Sequence, residues 1–79
     1  IIHGYRTIFP VPLAIGCSWD EKAAEKVARV SAKEASAAGV HVTFSPMVDL
    51  VRDARWGRVM ESTGEDPFLN SVFARAFVR

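Results

Sequence analysis

Between residues 20 and 39, small and apolar side chains recur at three- and four-residue intervals. Ala24, Val27, Ala28, Ser31, Ala35 and Ala38 form one stripe, and Lys22, Glu25, Lys26, Arg29, Lys33 and Ser36 form the opposite one. The spacing predicts an amphipathic helix with one buried and one wet face. Ser18-Trp19-Asp20-Glu21 has the Ser-x-x-Glu spacing of a capping box, which puts the helix start near Asp20. Gly39 suits the left-handed conformation that closes a helix. Because the buried stripe is mostly alanine, a neighbouring element can approach it closely.

Ile1-Ile2 reads as the end of a strand, followed by the turn-prone His3-Gly4 and a loop punctuated by Pro10 and Pro12. Residues 40–45, Val-His-Val-Thr-Phe-Ser, are rich in β-branched and aromatic types and are bounded by Gly39 and Pro46, so they are expected to form a strand. Residues 47–65 follow neither a helical nor a strand period. They form a long charged loop, and loops of that length tend to carry function. Asp66-Pro67 then reads as an N-cap with proline at the first helical position, opening a second helix with Phe68, Leu69, Val72, Phe73, Ala76 and Phe77 on its apolar face.

Strand, loop, helix, strand, long loop, helix is an α/β order, and a crossover helix between two strands makes them parallel. A doubly wound sheet would most often show a Gly-x-Gly phosphate turn, and none is present. A (β/α)8 TIM barrel fits better, with residues 3–12 and 47–65 as loops leaving the C-terminal ends of strands. Such a barrel takes about 250 residues, so this 79-residue chain is expected to be an incomplete fragment of one barrel domain. Its opening on Ile1 and its close at Arg79 within a helical pattern fit the same expectation.

Composition narrows the function classes. The chain is 49% hydrophobic and 24% charged, which argues against disorder. Its net charge of +1 gives no general attraction to nucleic acid or an anionic membrane. No apolar run approaches the roughly twenty residues of a membrane span. The single cysteine, Cys17, cannot form an internal disulfide and has no neighbouring ligands that would suggest a metal site; it is expected to be a small buried residue. Neither a metal nor a cofactor is expected.

The chemistry-bearing region is Arg52-Asp53-Ala54-Arg55-Trp56-Gly57-Arg58, followed by Glu61-Ser62-Thr63-Gly64-Glu65-Asp66-Pro67. These runs resemble the RDPRWGR and ESFGEDP signatures of glycoside hydrolase family 3, whose best-known members are β-glucosidases. Residues 2–10, Ile-His-Gly-Tyr-Arg-Thr-Ile-Phe-Pro, resemble the family's DVIHGYRTIFP stretch. Ala35 to Val40 with Phe44-Ser45-Pro46 resemble its helix and following strand, so the likeness runs through effectively the whole chain. Ala54 stands where the family usually has proline, and Thr63 where an aromatic is common. Loss of the proline leaves φ less constrained at position 54.

The resemblance implies an exo-acting, retaining β-glycosidase that cleaves β-linked glucosides or oligosaccharides. Its catalytic Asp and Glu lie downstream of this segment, so no catalytic residue is assigned here. A retaining mechanism needs two carboxyl groups about 5–5.5 Å apart. The resemblance does imply sugar-binding roles for Arg58, which closes the Arg-Trp-Gly-Arg run, and for Arg6. A planar guanidinium offers several donors in a fixed fork that can hold two hydroxyl oxygens. Gly57 is expected to turn the backbone tightly beside the Trp56 indole and aim Arg58 inward. The partners implied are a small β-glycoside and the remainder of the parent chain.

Other readings of the same residues stay open. Arg52 and Arg55 with Asp49, Asp53, Glu61 and Glu65 form a plausible salt-bridge network that only holds the loop in shape. Trp56 reads as packing support, His3 and His41 as structural, and the Phe68–Phe77 stripe as core. Asp53 and Glu61 are not expected to be an acid/base pair. A different class is a nucleic-acid patch made by Arg52, Arg55, Arg58 and Trp56; the surrounding Asp49, Asp53, Glu61, Glu65 and Asp66 would repel a polyanion. Alone, the segment is expected to lack activity and cooperative folding. Within the family a β-xylosidase is the alternative, and the Arg-Trp-Gly-Arg form argues against the β-N-acetylglucosaminidases. Family members that handle plant oligosaccharides are often exported, so the resemblance leans toward a periplasmic or secreted parent.

Overall fold

The structure, a computed structural model, describes residues 5–79. The expectations for Ile1, Ile2, His3 and Gly4 lie outside the described residues. Among the described residues three α-helices follow in order, α1 (Pro12–Ser18), α2 (Glu21–Ala37) and α3 (Pro67–Val78), with a single-turn 3₁₀ helix at Val59–Glu61.

α1 falls where a proline-punctuated loop is expected. Pro12 occupies the first turn, where its missing N–H costs nothing because those donors have no intrahelical partner. The helix ends at Trp19, whose left-handed φ of 54° turns the chain toward α2. The predicted capping box is replaced by a simpler arrangement. Ser18 belongs to α1, where its hydroxyl donates to the Ile15 carbonyl at 2.6 Å, and Asp20 caps α2 by accepting the Ala23 N–H at 3.0 Å.

α2 closes as expected, by a Schellman motif. Gly39 takes φ 86°, its N–H donates to Ser36 O at 3.1 Å, and the Val40 N–H donates to Ala35 O at 3.0 Å. The stripe packs against α3 around Ala24 and Val27, while Ala38 at its far end is exposed. Ala24 is fully buried, and it joins Ile15, Leu69, Phe73 and Ala76 in the core with Val27 and Phe77 alongside. α3 starts where the sequence places it, with Asp66 accepting the Leu69 N–H at 2.9 Å and Pro67 in the first turn. One member of its predicted apolar face departs: Phe68, in the first turn, is 72% exposed.

The expected strand at 40–45 is not formed. A strand exists through ladder hydrogen bonds, and among the described residues no strand is present and no backbone group pairs with 41–45. Val42 and Phe44 in this segment are exposed. His41 accordingly stands exposed in a segment without ladder partners rather than within a strand. The α/β order is therefore seen here only in its helices. Cys17 also departs from expectation, because α1 buries Ile15 and Gly16 and leaves Cys17 exposed.

Candidate functional site

The loop from Asp49 to Asp66 is ordered by short-range turns and by a buried polar junction. Asp53 accepts the Arg55 N–H at 2.9 Å on Oδ1, and its carbonyl accepts the Trp56 N–H at 3.1 Å. That makes 53–56 a β-turn with aspartate in its favoured first position. The Trp56 carbonyl accepts the Val59 N–H at 3.2 Å, leading into the 3₁₀ helix. Ser62, fully buried, places its hydroxyl 2.8 Å from Asp49 O and accepts the Gly64 N–H at 3.2 Å. The Gly64 carbonyl receives the Val51 N–H at 3.1 Å and Asn70 Nδ2 at 3.0 Å. Asn70 Nδ2 also donates to Asp66 O at 3.0 Å, and the Thr63 hydroxyl bonds to Asn70 Oδ1.

α1 supports this junction from the other side. A Cβ built on Gly16 would lie 1.9 Å from Thr63 O, so the helix can approach only because position 16 has no side chain. The sequence signal was present as a glycine within α1, but a glycine in a segment read as loop gives no reason to look for a close contact. Ser62, Thr63 and Asn70 were likewise missed as a buried polar set.

Of the predicted charge network one pair forms, Arg55 with Asp53, and a further pair joins Glu61 to Arg58, which is expected to bind sugar and is not part of that network. Arg55 grips Asp53 through Nε (3.0 Å to Oδ1) and NH2 (2.6 Å to Oδ2). Arg58 grips Glu61 through Nε (3.0 Å to Oε1) and NH2 (2.7 Å to Oε2). Arg52 and Glu65 enter no ion pair among the described residues. The hydrogen bonds from Arg55 hold the Asp53 carboxyl below its ordinary range, and those from Arg58 do the same for Glu61. In return both guanidinium groups are held more firmly protonated, Arg58 chiefly by Glu61 with Asp49 adding charge. Both carboxyl shifts favour the charged carboxylate, the form that accepts hydrogen bonds.

Arg58 is not turned inward by Gly57. Gly57 has no left-handed φ and a Cβ there would meet nothing within 4 Å, so the orientation comes from Glu61 instead. The Arg58 side chain is 60% exposed. Trp56 is half-buried, and with Asp49, Leu50, Arg52 and Asp53 it lines a shallow concavity beside the arginine loop. Arg6 is exposed, its guanidinium 5.9 Å from the Tyr5 ring centroid. The next residue, Thr7, anchors this stretch to α2, donating to the Glu34 carboxylate through both N–H (3.2 Å) and hydroxyl. The Thr7 hydroxyl is the main cause that lowers the Glu34 pKa, with the charge of Arg6 a smaller one. No hydrogen bond or ion pair among the described residues joins Arg6 to Arg58. Among the same residues no group of His, Cys, Asp and Glu is placed to hold a metal ion, and no helix is long and apolar enough to cross a membrane.

A family model described as the glycosyl hydrolase family 3 N terminal domain matches residues 1–79. The chain belongs to glycosyl hydrolase family 3. A periplasmic β-glucosidase of Salmonella typhimurium is 44% identical to this family 3 chain over 79 residues, covering all of it and 10% of the relative. A β-xylosidase of Formosa agariphila is 42% identical over 77 residues, 96% of this chain and 11% of the relative. Among solved structures, the β-glucosidase of Listeria innocua in complex with glucose is 68% identical and superposes with a TM-score of 0.93, covering 99% of this chain and 11% of that one. The chain thus spans about a tenth of the length of the relatives it matches.

Proposed function

We propose that these residues form part of the N-terminal (β/α)8 barrel of a longer retaining β-glycosidase, acting on β-glucosides or short β-linked oligosaccharides, and that they contribute glycone-binding loops rather than the catalytic carboxylates. The observation that carries the reading is the likeness in sequence and fold to a β-glucosidase solved with glucose. The local chemistry supports it. Arg58 spends two of its five N–H donors on Glu61 and keeps three for a ligand. Arg6 presents a second exposed guanidinium on a stretch pinned to α2. The displaced carboxyls, Glu34, Asp53 and Glu61, all move downward, the opposite of what a general acid needs.

The barrel reading gives segment 40–45 a role, as a strand whose exposed Val42 and Phe44 pack against barrel neighbours. A β-xylosidase is the second reading, favoured by the Formosa agariphila relative. A nucleic-acid patch is disfavoured because Arg55 and Arg58 are each already neutralised by a carboxylate.

The test is hydrolysis of aryl β-D-glucoside and β-D-xyloside by the full-length protein and its Arg58→Ala and Arg6→Ala variants. Loss of kcat/KM worth about 1.5–3 kcal/mol in Arg58→Ala, the scale of a hydrogen bond to a charged donor, with the fold retained, places Arg58 in the sugar site. Unchanged kinetics would return it to a structural pair with Glu61. A wild type inert on both glycosides would overturn the enzyme reading.

A further inference from the structure

The Arg58 guanidinium is held by one carboxylate, three residues further along the chain. Nε–H donates to Glu61 Oε1 and NH2 to Oε2, a side-on fork that uses one edge of the guanidinium. The remaining edge, where one N–H of each terminal nitrogen runs parallel, faces away from Glu61, and two parallel donors match two neighbouring hydroxyl oxygens on a sugar ring. Glu61 has a firm base for this. Its own N–H donates to Arg58 O at 3.0 Å. The two residues after it, Ser62 and Thr63, are buried and bonded to Asp49 O and Asn70. Arg58, by contrast, is a long exposed side chain with many free rotamers to lose on binding.

We propose that Glu61 is a positioning residue for glycone recognition: its carboxylate fixes the Arg58 guanidinium side-on, so that the free edge meets an adjacent pair of glycone hydroxyls already oriented. The proposal rests on the reading of Arg58 as a sugar donor. An exposed ion pair adds little to folding, so the fold should survive loss of the Glu61 charge while recognition suffers.

The experiment compares wild type, Glu61→Gln, Glu61→Ala, Arg58→Ala and the Arg58→Ala/Glu61→Gln double variant of the full-length protein. Substrates are an aryl β-D-glucoside and its analogues lacking one glycone hydroxyl. Glu61→Gln is expected to lower kcat/KM on the order of tenfold, no more than Arg58→Ala does, because the guanidinium is still present but less well held. Its melting temperature should stay near wild type, and it should discriminate less against one of the deoxy analogues. The double variant should fall no further than Arg58→Ala alone, because Glu61 has nothing to position once the guanidinium is gone. If Glu61→Gln and Glu61→Ala keep wild-type kinetics while Arg58→Ala is impaired, the positioning role is wrong and the sugar-binding reading stands. If Arg58→Ala is itself unimpaired, both are wrong. A Glu61→Gln loss that adds in full to that of Arg58→Ala also overturns the proposal, since Glu61 would then act through something else.

Discussion

Gly16 and Thr63 meet backbone to backbone, α1 against the end of the arginine loop, with room for a hydrogen but not for a methyl group at position 16. A contact this close fixes the distance between a helix and a loop without any side chain between them, and it sets the first expected outcome. Gly16→Ala forces α1 and the Thr63 carbonyl apart and should destabilise the folded protein by about 1–3 kcal/mol, as overpacking does. Gly57→Ala, in open space, should be neutral or mildly stabilising, by about 0.4–1 kcal/mol. Denaturant melts of the two variants side by side test the contrast, and equal effects would remove the special status of position 16.

Thr63 and Asn70 form a buried side-chain bond, and the Asn70 amide also ties down two carbonyls. Asn70→Ala leaves the Gly64 and Asp66 carbonyls short of a donor and should cost about 1–3 kcal/mol. Thr63→Val, which keeps shape and loses the hydroxyl, leaves the Asn70 carbonyl oxygen unpaired and should cost an amount in the same range. Equilibrium unfolding measures both, and a Thr63→Val protein as stable as wild type would mean that the hydroxyl contributes nothing net.

Ala54 follows Asp53 in a β-turn, at the position where proline is favoured, and no hydrogen bond among the described residues uses its N–H. Ala54→Pro should therefore stabilise the protein by about 0.4–1 kcal/mol by reducing the freedom of the unfolded chain. A drop in melting temperature would show that the turn does not tolerate the ring.

Glu61 and Asp53 titrate below their ordinary ranges because arginine hydrogen bonds favour the charged form. For a carboxyl whose folded pKa is depressed, the linked stabilisation is present above the unfolded value and is lost as pH falls through the folded one. Carboxyl carbon chemical shifts followed by NMR should show both midpoints below those of the unfolded chain. Arg58→Ala should move the Glu61 midpoint upward and leave Asp53 unmoved; movement of both would mean that the two pairs are coupled.

α2 and α3 were legible in the sequence because each carries its signals locally: an alanine stripe and Gly39 for the one, Asp66-Pro67 and a Leu69–Phe73–Ala76 face for the other. α1 was not, since prolines at 10 and 12 read as loop punctuation although Pro12 is well placed in a first helical turn. The segment 40–45 has strand composition, but composition cannot supply the partner that makes a strand. At the arginine loop, the sugar-binding candidate came from the resemblance of the Arg-Trp-Gly-Arg run to a family motif and not from residue types alone, while the choice of Glu61 over Asp49, Asp53 or Glu65 as the partner of Arg58 depends on the turn into the 3₁₀ helix, which charge order does not reveal. Burial of Cys17 was misjudged for a similar reason. A short helix hides only the residues on its contact side, and the sequence did not say which side that was.

The Gly64 carbonyl accepts from the Val51 amide at the start of the arginine loop and from the Asn70 side chain in α3. One oxygen atom thus links the near end of the loop to a helix nearly twenty residues further along. With Ser62 bonded to Asp49 O and to Gly64 as well, the start of the loop, its end and the first turn of α3 share one hydrogen-bonded set, so the loop is expected to move with that helix rather than as a separate flap. Solvent exchange at the Val51 amide would then keep time with the undocking of α3 and not with the faster flicker of an exposed turn.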